Sequence, residues 1–271
     1  MGSSIHPTAI IDSGAQLGEN VTVGPYAIIE DHTIIGDGCS IDAHVKIARY
    51  TTLGPRCRVY FGALVGEEPQ DHRWKDGIVS FTEIGADTVI REYVTIHRSP
   101  FEGKKTVIGD GVLLMAFVHA GHDVMIGNRV TIANQTALSG HVEIGDGAII
   151  SGFVKMHQFC RIGTLAMISA NNVLVQDVPP YCLMEKNGYI VGPNTIGLRR
   201  AGFGNEQRAA IRHAVKLFFF NGLNAKNAVR EIMAGTVTPE VANFVRFVTS
   251  TSRGIISGNP DTIFDAKEDK A

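Results

Sequence analysis

An aliphatic side chain returns every sixth residue along most of this chain. Stepping from Ile5 gives Ile11, Leu17, Val23, Ile29, Ile35, Ile41, Ile47, Leu53, Val59 and Val65 without exception. The frame breaks there and resumes at Ile84, Ile90 and Ile96. It then runs from Ile108 through Leu114, Ala120, Ile126, Ile132, Leu138, Ile144, Ile150, Met156, Ile162 and Ile168 to Leu174, with Ala120 the one small residue. A period of six fits neither an amphipathic helix nor the alternation of a hairpin strand. It fits a mainly β fold, a parallel β-helix of hexapeptide repeats with three hexads to a coil. Each aliphatic points inward, and coils stack at the strand spacing of about 4.8 Å. One hexad cannot bury a core, but a stack buries a continuous one. Glycine follows many of the aliphatics, Gly36 and Gly54 among them, and the expected reason is a tight corner with positive φ.

Two breaks in the frame predict departures from the prism. Residues 66–83 read as a loop. The segment HRSPFEGKKTV keeps the count but loses its aliphatic at Glu102, so it is a looser turn or a second small loop. Loops on a rigid scaffold are where ligand contacts concentrate. After Pro179-Pro180 the period stops, and a bridging segment leads to Phe203. From Asn205 the pattern turns helical, with Asn205, Asn224 and Thr238 as N-caps, Pro239 at a first helical position and Gly235 at a C-terminus. The expected division is a β-helix domain over 1–190 and a C-terminal α-helical domain over 191–271. The polar tail after Gly258 is expected to fray.

Composition narrows the function classes. The chain has 271 residues, 44 % hydrophobic and 19 % charged, with a net charge of -2. That describes a globular protein without the basic excess that marks nucleic-acid or anionic-membrane binding. No apolar run approaches the roughly 20 residues of a membrane span, and the N-terminus does not read as a secretion signal. Cys39, Cys57, Cys160 and Cys182 are scattered without a CxxC pair. They read as reduced thiols of a cytoplasmic protein.

The stretch VHAGHDVMIGN interrupts the aliphatic pattern. Hexads starting at Ala120, Leu138 and Met156 are 18 residues apart, so they share one face of consecutive coils. His119, His122, His141 and His157 converge there, with Asp123 after His122 and Gln158 after His157. A histidine that titrates near neutrality is a natural proton acceptor, and a neighbouring carboxylate can fix its tautomer. The same residues also read as zinc ligands, and spacing alone leaves both open. Ser139 and Ser151 fall near the strip, but nothing places either hydroxyl at a histidine. No Walker A or GxGxxG motif suggests a nucleoside triphosphate or dinucleotide.

The order HAGHDVMIGNRVTIAN, SGHVEIGDGAIISG, VKMHQF, QDVPPY and NTIGLRRAGF resembles the UDP-N-acetylglucosamine 3-O-acyltransferase family. PQD and REYVTIHR upstream and STSRG downstream extend the resemblance over nearly the whole chain. It implies left-handed helices assembled as a homotrimer, with sites in the clefts between subunits and no cofactor or metal. The implied reaction is the first step of lipid A biosynthesis, transfer of an R-3-hydroxyacyl group from acyl carrier protein to the 3-hydroxyl of UDP-N-acetylglucosamine. By resemblance His122 is the general base, Asp123 its orienting partner, and Gly140 the backbone N–H that meets the oxyanion. His119, His141, His157 and Gln158 match sugar-nucleotide and acyl-chain contacts. Gln70 and Asp71 match loop contacts, and Asn194 and Arg200 contacts further along. Ala170 sits near the position that limits acyl length, where glycine admits longer chains. Arg208, Arg212 and Lys216 form a basic stripe preceded by Arg199. It reads as a solvated face or as a dock for an acidic carrier protein.

Arg73, Ile196 and Ala201 depart from the family's common residues. They leave open a 3-amino analogue of the sugar, whose product would be an amide. A related acyltransferase acting later on the glucosamine nitrogen is a near alternative, and more remote ones are a γ-type zinc carbonic anhydrase and a scaffold with a degenerate site.

Overall fold

The protein is described over residues 2–261 by a computed structural model. Most strands of the repeat are two residues long, and the second residue of each is the hexad aliphatic. It faces inward while its neighbour faces out: Ile29 is 1 % exposed and Ile28 37 %. From Val23 onward every repeat aliphatic is buried. Burying such a side chain contributes about 1.5–3 kcal/mol, so the stack of inward rows is the core. Ile5 remains 47 % exposed because no coil lies beneath the first one.

The strands form three parallel sheets of a left-handed β-helix, beginning with Ser4–Ile5, Ile10–Ile11 and Gln16–Leu17. Residues 18 apart pair across neighbouring coils, as Ala120 does with Leu138 and Leu138 with Met156. The chain thus turns three corners per coil.

The expectation for the glycines is corrected. Of those that follow a repeat aliphatic, Gly66 has positive φ, but Gly36, Gly54 and Gly163 do not. What excludes a side chain there is the next coil. A Cβ on Gly54 would lie 2.7 Å from the Ala86 nitrogen, and one on Gly36 2.6 Å from the Pro55 nitrogen. Positive φ falls two residues later, at the corner itself, and is mostly carried by non-glycine residues such as Asn20 (φ 56°), Arg56 (φ 59°) and Arg129 (φ 53°). Pairing between coils over-determines these conformations.

The first excursion is narrower than 66–83. Leu64–Glu67 belongs to the second sheet and Phe81–Ile84 to the third, so residues 68–80 leave the prism. A second small loop, 98–104, lies between Thr95–His97 and Lys105–Ile108. Both depart from the corner between the second and third sheets.

The bridging segment is more ordered than expected. Cys182–Met184 and Ile190–Pro193 form an antiparallel pair, followed by α1 (Thr195–Arg200). Three longer helices follow, α2 (Asn205–Phe219), α3 (Ala225–Ala234) and α4 (Pro239–Thr249). Asn224 and Thr238 cap their helices through side-chain oxygens, with Pro239 in the first turn. Asn205 is not a cap. It opens α2, and Gly204 caps it, its N–H donating to Gln207 Oε1 at 2.9 Å. Buried Asp177 ties α4 to the last coil: Arg161 donates to its Oδ2 at 2.8 Å and to the Phe247 carbonyl at 3.2 Å. All four cysteines are free and buried. Most of the polar tail, beyond residue 261, lies outside the described residues.

Gly54→Ala should lower stability by about 1–3 kcal/mol, as overpacking does. Gly111→Asn should be tolerated, because Gly111 (φ 63°) sits at the same kind of corner as Asn20. Urea midpoints of the two variants test the distinction.

Candidate active site

The corner from which both excursions leave also carries the histidine strip. Asp123, His141 and Phe159 occupy its left-handed position in successive coils, with φ of 58°, 60° and 65°. Asp123 is held from behind. Its N–H donates to Thr106 Oγ1 at 2.9 Å, and that hydroxyl donates to the His97 carbonyl at 2.7 Å. Beside it, His122 is 6 % exposed and its Nδ1 lies 2.8 Å from Asp123 Oδ2. An ionised carboxylate only accepts, so Nδ1 carries a proton, and in the neutral ring the lone pair is on Nε2. Burial opposes the charge of Asp123, but hydrogen bonds from His122 and Ser99 outweigh it and hold the carboxyl below the usual range.

Nε2 of His122 faces the first excursion. Asp71 Oδ2 lies 3.3 Å away, and Arg73 grips Asp71 with contacts of 3.0 and 2.7 Å. Those hydrogen bonds hold the Asp71 carboxyl well below the ordinary carboxylate range. Gly140 lies against the same ring: a Cβ there would stand 2.4 Å from Nε2. Among the described residues the Gly140 N–H donates no hydrogen bond. An imidazole, its carboxylate, an uncommitted N–H and a second carboxylate therefore surround one small space.

His141 stands edge-on to His122 with ring centres 5.0 Å apart and stacks on Phe159 at 4.6 Å. Phe101, from the second excursion, lies 6.5 Å from His141, and the Arg73 guanidinium lies 4.9 Å from the Phe101 ring. Burial lowers the pKa of His141, against a raising influence from Asp123. A ring nitrogen of His122, an Asp123 oxygen and a His141 nitrogen lie within 4.8 Å of one another, near enough to be tested as a metal set. The 2.8 Å Nδ1···Oδ2 contact is a hydrogen bond, which commits that nitrogen to a proton. A cavity of about 540 Å³ lies elsewhere, between the third sheet and α4.

Comparison with known proteins gives concordant results. The family model described as "Udp N-acetylglucosamine O-acyltransferase; Domain 2" matches residues 177–256, and a bacterial transferase hexapeptide model of six repeats matches 105–140. An acyl-(acyl-carrier-protein)–UDP-N-acetylglucosamine O-acyltransferase from Paraburkholderia phymatum is 43 % identical, the match covering 94 % of this chain and 99 % of that protein. The enzyme of the same name from Campylobacter concisus is 37 % identical over 93 % of this chain and 97 % of its own. The solved UDP-N-acetylglucosamine acyltransferase from Bacteroides fragilis is 38 % identical, with a TM-score of 0.90 over 93 % of this chain and 99 % of that one. The chain belongs to the UDP-N-acetylglucosamine O-acyltransferase family.

As an acyltransferase of this family, the protein gathers part of its expected site in one chain. His122, Asp123, Gly140, His141 and Asp71 meet at one corner. Gln70 lies exposed on the same excursion, and His157 and Gln158 lie one coil beyond His141, with His157 exposed. His119 is displaced from the strip. It projects from the flat second sheet, with Nδ1 2.8 Å from Thr95 Oγ1 and its ring 5.2 Å from His97. Asn194 caps α1, accepting from the Gly197 N–H at 3.0 Å and donating to the Leu165 carbonyl at 2.9 Å. Ala170 follows the first-sheet strand Met167–Ile168, at a different corner from His122. Arg199 and Arg200 are exposed at the end of α1, and Lys216 is exposed on α2. Arg208 donates to the Phe203 carbonyl and to Asn205, so one member of the basic stripe is engaged locally.

Thr106, Ser99 and Phe101 were not evident from the sequence. Their parts in the site depend on how the second excursion folds back, which no period encodes. Thr106 carried a faint signal, lying two residues before the repeat aliphatic Ile108.

Burial pushes the His119 pKa down to about 4. The unfolded chain therefore takes up a proton near pH 6.5 that the folded protein refuses until about pH 4. Stability conferred by this site is complete above pH 6.5 and falls as pH drops through that window, by up to about 1.4 kcal/mol per pH unit. His119→Gln should flatten that limb. Urea midpoints at pH 7 and 4.5 measure it.

Proposed function

We propose that the protein transfers an R-3-hydroxyacyl group from acyl carrier protein to the 3-hydroxyl of UDP-N-acetylglucosamine, the first step of lipid A biosynthesis, with His122 as general base. The observation that carries this reading is the His122–Asp123 pair beside the free N–H of Gly140. His122 Nε2 takes the hydroxyl proton as the sugar oxygen attacks the thioester carbonyl. The Gly140 N–H accommodates the oxyanion. Collapse expels the carrier thiolate, which recovers the proton from His122. No covalent enzyme intermediate is needed, and the serine at the corner, Ser99, is buried and turned to Asp123.

The working form is a homotrimer. One copy leaves Ala170 and Asn194 away from His122, and a site formed where two copies meet would bring such residues in. The exposed arginines at the end of α1 and Lys216 on α2 suit an acidic carrier protein. Two further readings keep specific support. Arg73 grips Asp71 where the family commonly has lysine, and a changed sugar contact there is compatible with a 3-amino acceptor. Zinc hydration chemistry rests on the ligand atoms of His122, Asp123 and His141, which lie within 4.8 Å of one another.

Purified protein given UDP-N-acetylglucosamine and a panel of 3-hydroxyacyl carrier proteins should yield sugar nucleotide heavier by one hydroxyacyl group. His122→Ala should lower the rate about 10²–10⁴-fold. Chelation should leave it unchanged. Transfer only to the 3-amino sugar would support the amide reading, and chelator-sensitive activity with one zinc per chain the metal reading. Ala170→Gly should shift preference to longer chains.

A further inference from the structure

Asp71 reaches His122 from an excursion that contains no strand pairing, so something beneath must hold it. Arg98 is 2 % exposed there. Its guanidinium donates to the Gly66 carbonyl at 3.0 Å, approaches Glu68 Oε1 at 3.4 Å and lies 4.9 Å from the Trp74 ring centre. The Glu68 side chain is 57 % exposed, so water screens that pairing. Among the described residues, Nε of Arg98 and Nε1 of Trp74 are buried without partners. A guanidinium buried with this little compensation opposes folding, and an apolar side chain of similar length would cost less. His97 grips the same root, its Nδ1 bonded to the Glu68 carbonyl. The backbone N–H of Trp74 donates to the Asp71 carbonyl at 3.0 Å. The ring that Arg98 holds and the carboxylate at His122 therefore belong to one turn.

We infer that Arg98 is a positioning residue of the active site: anchored to the Gly66 carbonyl of the second-sheet strand and set against the Trp74 ring of the excursion, it holds Asp71 against Nε2 of His122. This rests on His122 acting as the base. When His122 takes the acceptor's proton, Asp71 becomes the second carboxylate of the imidazolium, opposite Asp123. Arg73 keeps Asp71 ionised, so the proton stays on His122 until the thiolate leaves. Arginine suits the place because its plane can stack on an indole while its fork donates to a carbonyl, which a lysine cannot do.

A double-mutant cycle tests this, because a residue that acts through Asp71 cannot matter once Asp71 is neutral. Arg98→Met should lower kcat/KM for transfer about tenfold in the parent and less than about twofold in an Asp71→Asn background. Independent, multiplying losses would overturn the inference. A second arm needs no turnover: the His122 ring Cε1–H resonance of the ligand-free protein should move in Arg98→Met in the direction it moves in Asp71→Asn. A resonance that stays in place overturns the inference as well. Trp74→Leu, which lies on the excursion outside the prism, carries both arms if Arg98→Met fails to fold. A parent protein without transfer activity would refute the base assignment and leave the resonance to decide the positioning role.

Discussion

Every coil of this protein must pass its backbone within hydrogen-bonding distance of the next, and that closeness governs the rest. It forbids a Cβ where the strand leaves the sheet, as at Gly36 and Gly54. It forces the chain into the left-handed region two residues later, and the ladder of inter-coil bonds makes that costly conformation uniform. A left-handed residue normally marks a local exception. Here it is a lattice position, repeated at each corner, that aspartate, histidine, tyrosine and arginine all occupy.

The active corner is built on that lattice. Asp123 and His141 project from equivalent positions one coil apart, so their side chains converge without any loop having to aim them. His122, one residue before the corner, is brought edge-on to His141 and within hydrogen-bonding distance of Asp123. Gly140 precedes His141 as His122 precedes Asp123, and the absent side chain leaves room for the His122 ring. Chemistry at this corner thus draws on rigid parts, while the two excursions, one carrying Asp71 and the other Ser99 and Phe101, supply the walls that are not periodic. Burial opposes ionisation of Asp123, yet its hydrogen bonds from His122 and Ser99 keep it charged.

Much of this was legible in the sequence, for a physical reason. The six-residue period needs only one aliphatic per short strand, so it survives in the linear text and fixes coil register to the residue. Register then places His122, Asp123, Gly140 and His141 on one face. His119 was misplaced because an outward residue on a flat sheet and one near a corner differ by only a few positions in the hexad. The glycines were attributed to φ when steric approach excludes their side chains, a difference that appears only once coils are stacked. Asn194 also caps a short helix that no periodicity announced. The clamp of Arg98 on Trp74 joins two aperiodic segments, and nothing in either records the other.

The central claim is that the Asp123 carboxylate sets His122 up as the base. Asparagine tolerates left-handed φ well, so Asp123→Asn should keep the corner while removing its charge and freeing the tautomer. Single-turnover transfer measured with saturating UDP-N-acetylglucosamine and an acyl carrier protein donor should slow about 10²-fold or more, as loss of such an orienting carboxylate does, with sugar-nucleotide affinity unchanged. A rate within about twofold of the parent would contradict the account and move the base to another residue.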